Sequence, residues 1–156
     1  MADLSIPERT LAVARASLRF CALRGWAPVQ EVPLPNGRRV DILALLPDGG
    51  FVAIETKSCA RDFLTDQKWP EYRDFCDRLF FAVDCDFPQT LLPGDVGLIV
   101  TDGYEATQLR DAPPHPMAPA RRKALMHRFA SLAASRLAAM SDPVGFAEMR
   151  AALRVE

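Results

Sequence analysis

Residues 38–58 (RRVDILALLPDGGFVAIETKS) constrain this chain more than any other stretch, because they read as two alternating apolar segments joined by a turn. On the first segment Val40, Ile42, Ala44 and Leu46 share one face, and Asp41, Leu43 and Leu45 share the other. On the second, Val52, Ile54 and Thr56 share a face, with Phe51, Ala53, Glu55 and Lys57 opposite. Both faces are largely apolar, as in strands covered on two sides. Glu55 and Lys57 therefore point the same way at the end of an otherwise apolar strand.

Whether Asp41 joins them is a question of register. Directly opposed residues in an antiparallel pair have a constant index sum, and a slip of one residue flips a side chain to the other face. A loop centred on Asp48 sets Asp41 against Glu55, and one centred on Gly49 sets it against Lys57. A plain two-residue Asp-Gly turn sets it against Thr56 and separates the charges. Bringing the three together requires an odd-numbered loop or a bulge, which Gly49 and Gly50 make easy because glycine tolerates positive φ.

The remaining sequence suits such a hairpin. A chain of 156 residues with 49% hydrophobic and 25% charged residues is large enough for one core without disulfides or a structural metal. There is no apolar run of about 18 residues and no signal-peptide pattern at the N-terminus, so a cytoplasmic protein with no membrane partner is expected. Cys21, Cys59, Cys76 and Cys85 form no CxxC pair and read as small buried apolar residues.

Helical spacing runs over residues 8–23, with Ser5, Pro7 and Glu8 as its N-terminal signal and Glu8 reaching back in a capping box. Residues 26–34 contain Pro28 and Pro33 and read as an edge strand. Residues 58–65 read as loop, and a helix follows with Thr65 or Asp66 as its cap, carrying Trp69, Tyr72, Phe75 and Leu79. The apolar runs 79–83 and 96–101 suit central strands, and 104–109 an edge strand. A proline-rich connector at 112–120 separates a core, residues 1–111, from C-terminal helices over 121–156 packed on the same domain. The expected fold is α/β: a mixed β-sheet flanked by helices, with a C-terminal helical extension.

Phosphodiester hydrolysis needs a hard cation held by oxygen ligands, usually one or two carboxylates plus water. Asp41 and Glu55 supply carboxylates, the Thr56 carbonyl is a further ligand, and Lys57 places a positive charge beside the attacking water. An acid-x-lysine tripeptide alone carries little weight, since chance supplies roughly one per chain of this length. Its position carries more, because charges facing inward from an apolar strand cost stability unless paired or bound. The alternative is that Glu55 and Lys57 simply pair at an exposed strand end.

Asp41 followed after thirteen residues by Glu55-Thr56-Lys57 resembles the PD-(D/E)XK nuclease superfamily, restriction-endonuclease-like in fold. The run from VDILALLPDGGFVAIETKS through DFLTDQKWPEYRDFCDRLFFAV is similar to bacterial MmcB-type DNA repair proteins, over about residues 8–100. The resemblance implies a DNA substrate, Mg²⁺ or Mn²⁺, Asp41 and Glu55 as metal ligands and Lys57 as the catalytic lysine. Val40 stands where the motif name has proline. Some members carry Gln-x-x-x-Tyr on the next helix. Here Gln67 and Tyr72 are one residue too far apart, whereas Lys68 and Tyr72 have i,i+4 spacing. Substrate contact is therefore assigned to Lys68 and Tyr72, with Gln67 second.

Glu8 resembles the first-helix acid that completes the metal site of archaeal Holliday-junction resolvases, a role that competes with its capping box. Arg38, Arg39 and Arg61 flank the hairpin as phosphate contacts. Trp69 is either a base-stacking residue or core. The basic residues of 118–140, Arg121, Arg122, Lys123, Arg128 and Arg136, either follow a nucleic-acid backbone or form a solvated face. The expected function is a divalent-metal-dependent DNA nuclease acting in repair. Alternatives are a non-cleaving binding module of the same fold or a scaffold domain, and dimerisation, as in junction resolvases, is left open.

Overall fold

A computed structural model describes residues 4–154. Helix α1 (Ile6–Leu23) leads into strands β1 (Ala27–Pro33), β2 (Arg39–Leu45) and β3 (Phe51–Lys57). A short helix α2 (Ala60–Thr65) and a 3₁₀ segment (Trp69–Phe75) lead to β4 (Arg78–Asp84), β5 (Gly97–Thr101) and β6 (Ala106–Arg110). Helices α3 (Pro119–Ser141) and α4 (Pro143–Ala152) follow. The six strands lie in sequence order, and β3, β4 and β5 are mutually parallel while the other neighbours are antiparallel. This is the expected helix-flanked mixed sheet with a helical C-terminal extension.

The sheet separates two apolar layers. One face packs Val13, Phe20 and Cys21 of α1 over Ile42, Ile54, Phe80 and Ile99. The other covers Leu43, Phe51, Ala53, Leu79 and Phe81 with Tyr72 and Phe75 of the 3₁₀ segment and Leu125 and Phe129 of α3. Every residue of β3 is buried, the apolar Phe51–Ile54 by packing on both faces and the polar Glu55, Thr56 and Lys57 along with them. Cys21 and Cys76 are buried as expected, but Cys59 is half-buried and Cys85 exposed.

The hairpin has an odd-numbered loop. Ile42 faces Ile54 and Leu45 faces Phe51, a constant sum centred on Asp48. Leu46 N–H donates to Gly50 at 2.8 Å and Gly49 N–H to Leu46 at 3.0 Å, with Gly49 at φ 84°. This is a three-residue turn whose last position is left-handed, and only glycine takes it without strain.

Two local expectations are corrected. Residues 60–65 form α2 rather than loop, anchored where the Phe63 ring meets Phe81 edge-on at 5.4 Å. One turn is too short to show a periodicity. The expected α-helix after Asp66 is instead 3₁₀. Trp69, Tyr72 and Phe75 are spaced by three, the 3₁₀ repeat, and Pro70 removes an N–H from the first turn.

A Cβ on Gly97 would fall inside the Phe80 ring across the β4–β5 pair. Gly97→Ala is expected to cost about 1–3 kcal/mol of stability, measured by urea unfolding.

Candidate active site

The site lies where β2 and β3 part. The β2–β3 ladder ends at the Ile42–Ile54 pair, yet β2 stays paired with β1 as far as Arg39, and β3 with β4 as far as Lys57. In the gap, Asp41 Oδ2 accepts from Thr56 N–H at 2.8 Å and from the Thr56 hydroxyl at 2.7 Å. A carboxylate thus replaces a backbone acceptor and holds the gap open. The alternation breaks at Asp41, because Val40 packs in the layer of Leu43 rather than with Ile42 as expected, and the Asp41 carboxylate turns to the Thr56 hydroxyl while staying close enough for its charge to act on Glu55. Asp41, Glu55, Thr56 and Lys57 line one cleft of about 390 Å³ beside α1, with Asp62. Glu55, Lys57 and Asp62 also line a second, of about 660 Å³, with Asp66, Lys68 and Tyr72.

Glu55 and Lys57 are each only 5% exposed. Lys57 Nζ donates to Glu55 Oε1 at 3.1 Å and to Asp66 Oδ2 at 2.7 Å, and lies 4.0 Å from Asp62 Oδ2. Glu55 Oε2 is buried without a hydrogen-bond partner. Burial, reinforced by the nearby Asp41 charge, pushes the Glu55 carboxyl up to about 8. Burial also works against the charge on Lys57, but Glu55, Asp66 and Asp62 together hold its ammonium above the ordinary value. For Asp66, burial is outweighed by Lys57 and the Lys68 N–H, which keep its carboxyl low. Of the two acids bonded to Lys57, Asp66 is the one whose charged form its surroundings favour.

The other expected contacts divide. Glu8 accepts from Ser5 N–H at 2.8 Å in the capping box and lines neither cleft. Tyr72 is buried and donates its hydroxyl to Arg39 O at 3.1 Å, so it supports the cleft wall. Lys68 lines the larger cleft, but the 3₁₀ geometry removes the shared α-helical face with Tyr72. Gln67 is exposed and turned back to Leu64 O at 3.4 Å. Arg38 is bidentate to Glu71, and Arg39 pairs with Glu31, both at the cleft rim. Arg61 is exposed and lines neither cleft. Trp69 is core, its ring 5.2 Å from Phe81.

The arginines of α3 are largely exposed yet engaged, whereas Lys123 is exposed. Arg122 is bidentate to Asp77, while Arg121, Arg128 and Arg136 donate to the carbonyls of Asp74, Pro33 and Glu31. Two residues that sequence reasoning did not place in the site, Asp62 and Asp66, complete its acidic lining. Their signal was the acid pair in RDFLTD immediately after the lysine strand.

Among the described residues no group of three or more His, Cys, Asp or Glu side chains is arranged to hold a metal ion. The donor set is two carboxylates and a neighbouring carbonyl, which suits a hard cation that keeps several waters, and the orphaned Glu55 Oε2 is a donor needing a partner.

A restriction-endonuclease-like sheet with acids and a lysine at a strand split defines a nuclease-like α/β module. The chain belongs to the MmcB-like DNA repair protein family, whose model matches residues 1–144. A solved protein of unknown function from Silicibacter pomeroyi is 44% identical and superposes with a TM-score of 0.84, covering 92% of this chain and 96% of that one. No curated protein matches. No described helix is long and apolar enough to cross a membrane.

Because the Glu55 carboxyl is raised from 4.5 to about 8, the unfolded chain releases its proton before the folded one does. Its contribution is intact below the unfolded value and is lost as pH rises toward 8. Glu55→Gln is expected to gain roughly 1–3 kcal/mol on wild type between pH 4.5 and 8 in EDTA, read as the difference between the two unfolding free energies at each pH. A gain that does not grow with pH would contradict the raised carboxyl.

Proposed function

We propose that this protein is a Mg²⁺- or Mn²⁺-dependent DNA nuclease of the repair machinery. The observation that carries the reading is the meeting of Asp41, Glu55 and Lys57 in one cleft at the strand split, with Glu55 Oε1 on the Lys57 amine and its Oε2 unpartnered. Asp41 and Glu55 would hold the cation, with the Thr56 carbonyl beside them. The cation supplies Lewis acidity to the phosphate and lowers the pKa of water. The Lys57 ammonium hydrogen-bonds the attacking water or the phosphoryl oxygens, stabilising charge that grows in the transition state. A new P–O bond to the water oxygen forms as the bond to the leaving sugar oxygen breaks; the attacking water gives its proton up to solvent, and the leaving oxygen takes one from solvent. Lys68 on the larger cleft would contact the backbone phosphates, while Arg38 and Arg39 reach them by exchanging their glutamates for phosphate.

A second reading, a non-cleaving DNA-binding module, draws on the absence of a three-acid cluster among the described residues and on the engagement of Lys57 by two carboxylates.

The test is incubation of purified protein with linear, single-stranded, nicked and branched DNA and Mn²⁺. Asp41→Ala and Lys57→Ala are each expected to lower kcat by about 10²–10³, and Lys68→Ala to raise KM. Cleavage that survives both site substitutions would remove the site assignment. Metal-independent binding without cleavage would favour the module, and no binding at low salt a scaffold.

A further inference from the structure

Three carboxylates face the Lys57 amine, and they are not equivalent. Asp66 Oδ2 is nearest, at 2.7 Å, with Glu55 Oε1 at 3.1 Å and Asp62 Oδ2 at 4.0 Å. The Asp62 side chain is 50% exposed, so water screens it, whereas that of Asp66 is 13% exposed. Asp66 is also the most firmly oriented. It follows α2 directly, and its Oδ1 accepts the Lys68 N–H at 2.8 Å while Oδ2 takes Lys57. One oxygen is tied to backbone and the other to the amine, which leaves the carboxylate a single pose.

Glu55 cannot serve Lys57 in the same way if it also ligates a cation. A carboxylate drawn toward a metal has less electron density to offer the ammonium, and its geometry follows the metal. A lysine stem released from its partners regains rotamer freedom and samples poses away from the site. Asp66 is the short contact to Lys57 that lies outside the proposed ligand set.

We infer that Asp66 is a positioning residue that holds the Lys57 amine at the junction of the two clefts independently of Glu55. The inference rests on the metal-dependent nuclease reading of the same site, and it assigns a task to a residue on the segment after the lysine strand.

Asp66→Asn keeps an oxygen for the Lys68 N–H and removes the charge facing Lys57, so it separates the two contacts. The chain has three lysines, Lys57, Lys68 and Lys123, so acetylation of each is readily followed by peptide mass spectrometry. In wild-type protein Lys57 is expected to be acetylated about tenfold more slowly than Lys123, and Asp66→Asn to accelerate Lys57 about fivefold with Lys123 unchanged. With cleavable DNA and saturating Mn²⁺, Asp66→Asn is expected to lower kcat about tenfold at constant KM, and Asp66→Glu to recover part of the loss. Unchanged Lys57 acetylation in Asp66→Asn overturns the inference. So does accelerated acetylation with an unchanged kcat. If wild type cleaves none of the DNA forms, the nuclease reading fails, and the acetylation result alone decides whether Asp66 holds the amine.

Discussion

Lys57 carries an ammonium into a position where 5% of its surface meets water, and much of the local structure answers that charge. A buried cation is tolerated only when paired and hydrogen-bonded. The pairing here draws in Glu55 from the same strand and Asp66 from the segment after α2, so the end of β3 and the beginning of the 3₁₀ segment are joined through one amine. That junction fixes the wall shared by the two clefts. It is also expensive, since the Glu55 carboxyl is pushed up and keeps an oxygen without a partner. Such unresolved burial is typical of sites arranged for a ligand rather than for stability.

The strand split complements this cluster. Had β2 and β3 stayed paired to the end, backbone would close the space between Asp41 and Glu55. The Asp41 carboxylate instead takes the Thr56 N–H and hydroxyl. Around the gap, α3 is fastened by Arg122 to Asp77, which also accepts the Phe51 N–H at the start of β3. Arg136 reaches the carbonyls of Gln30 and Glu31 at the β1 kink, where Glu31 has a φ of 51°. The arginines that suggested a nucleic-acid track along this helix brace the edges of the cleft.

The long elements were legible because their patterns are redundant. Strands of strict alternation or unbroken apolarity and the helix over α1 carry enough residues to average out local exceptions. The odd-numbered loop was legible too, as one of the two ways, the other being a bulge, of bringing Asp41 toward Glu55 and Lys57. The short pieces were not. A six-residue helix and a seven-residue 3₁₀ segment are held by Phe63, Trp69 and Tyr72 packing into the core, and such packing leaves no periodic trace in so few residues.

By itself the sequence determined the sheet strands, the hairpin and the acid-x-lysine strand with its matching aspartate, because these follow from local periodicity and index arithmetic. Tertiary structure alone decided which charges are spent internally. Arg38 and Arg39 are engaged by Glu71 and Glu31, Glu8 by its helix cap, and the α3 arginines by the sheet edge, while Asp66 enters the site from outside the motif. A charged side chain at a given spacing has several possible partners, and which one it meets depends on elements brought together from distant parts of the chain.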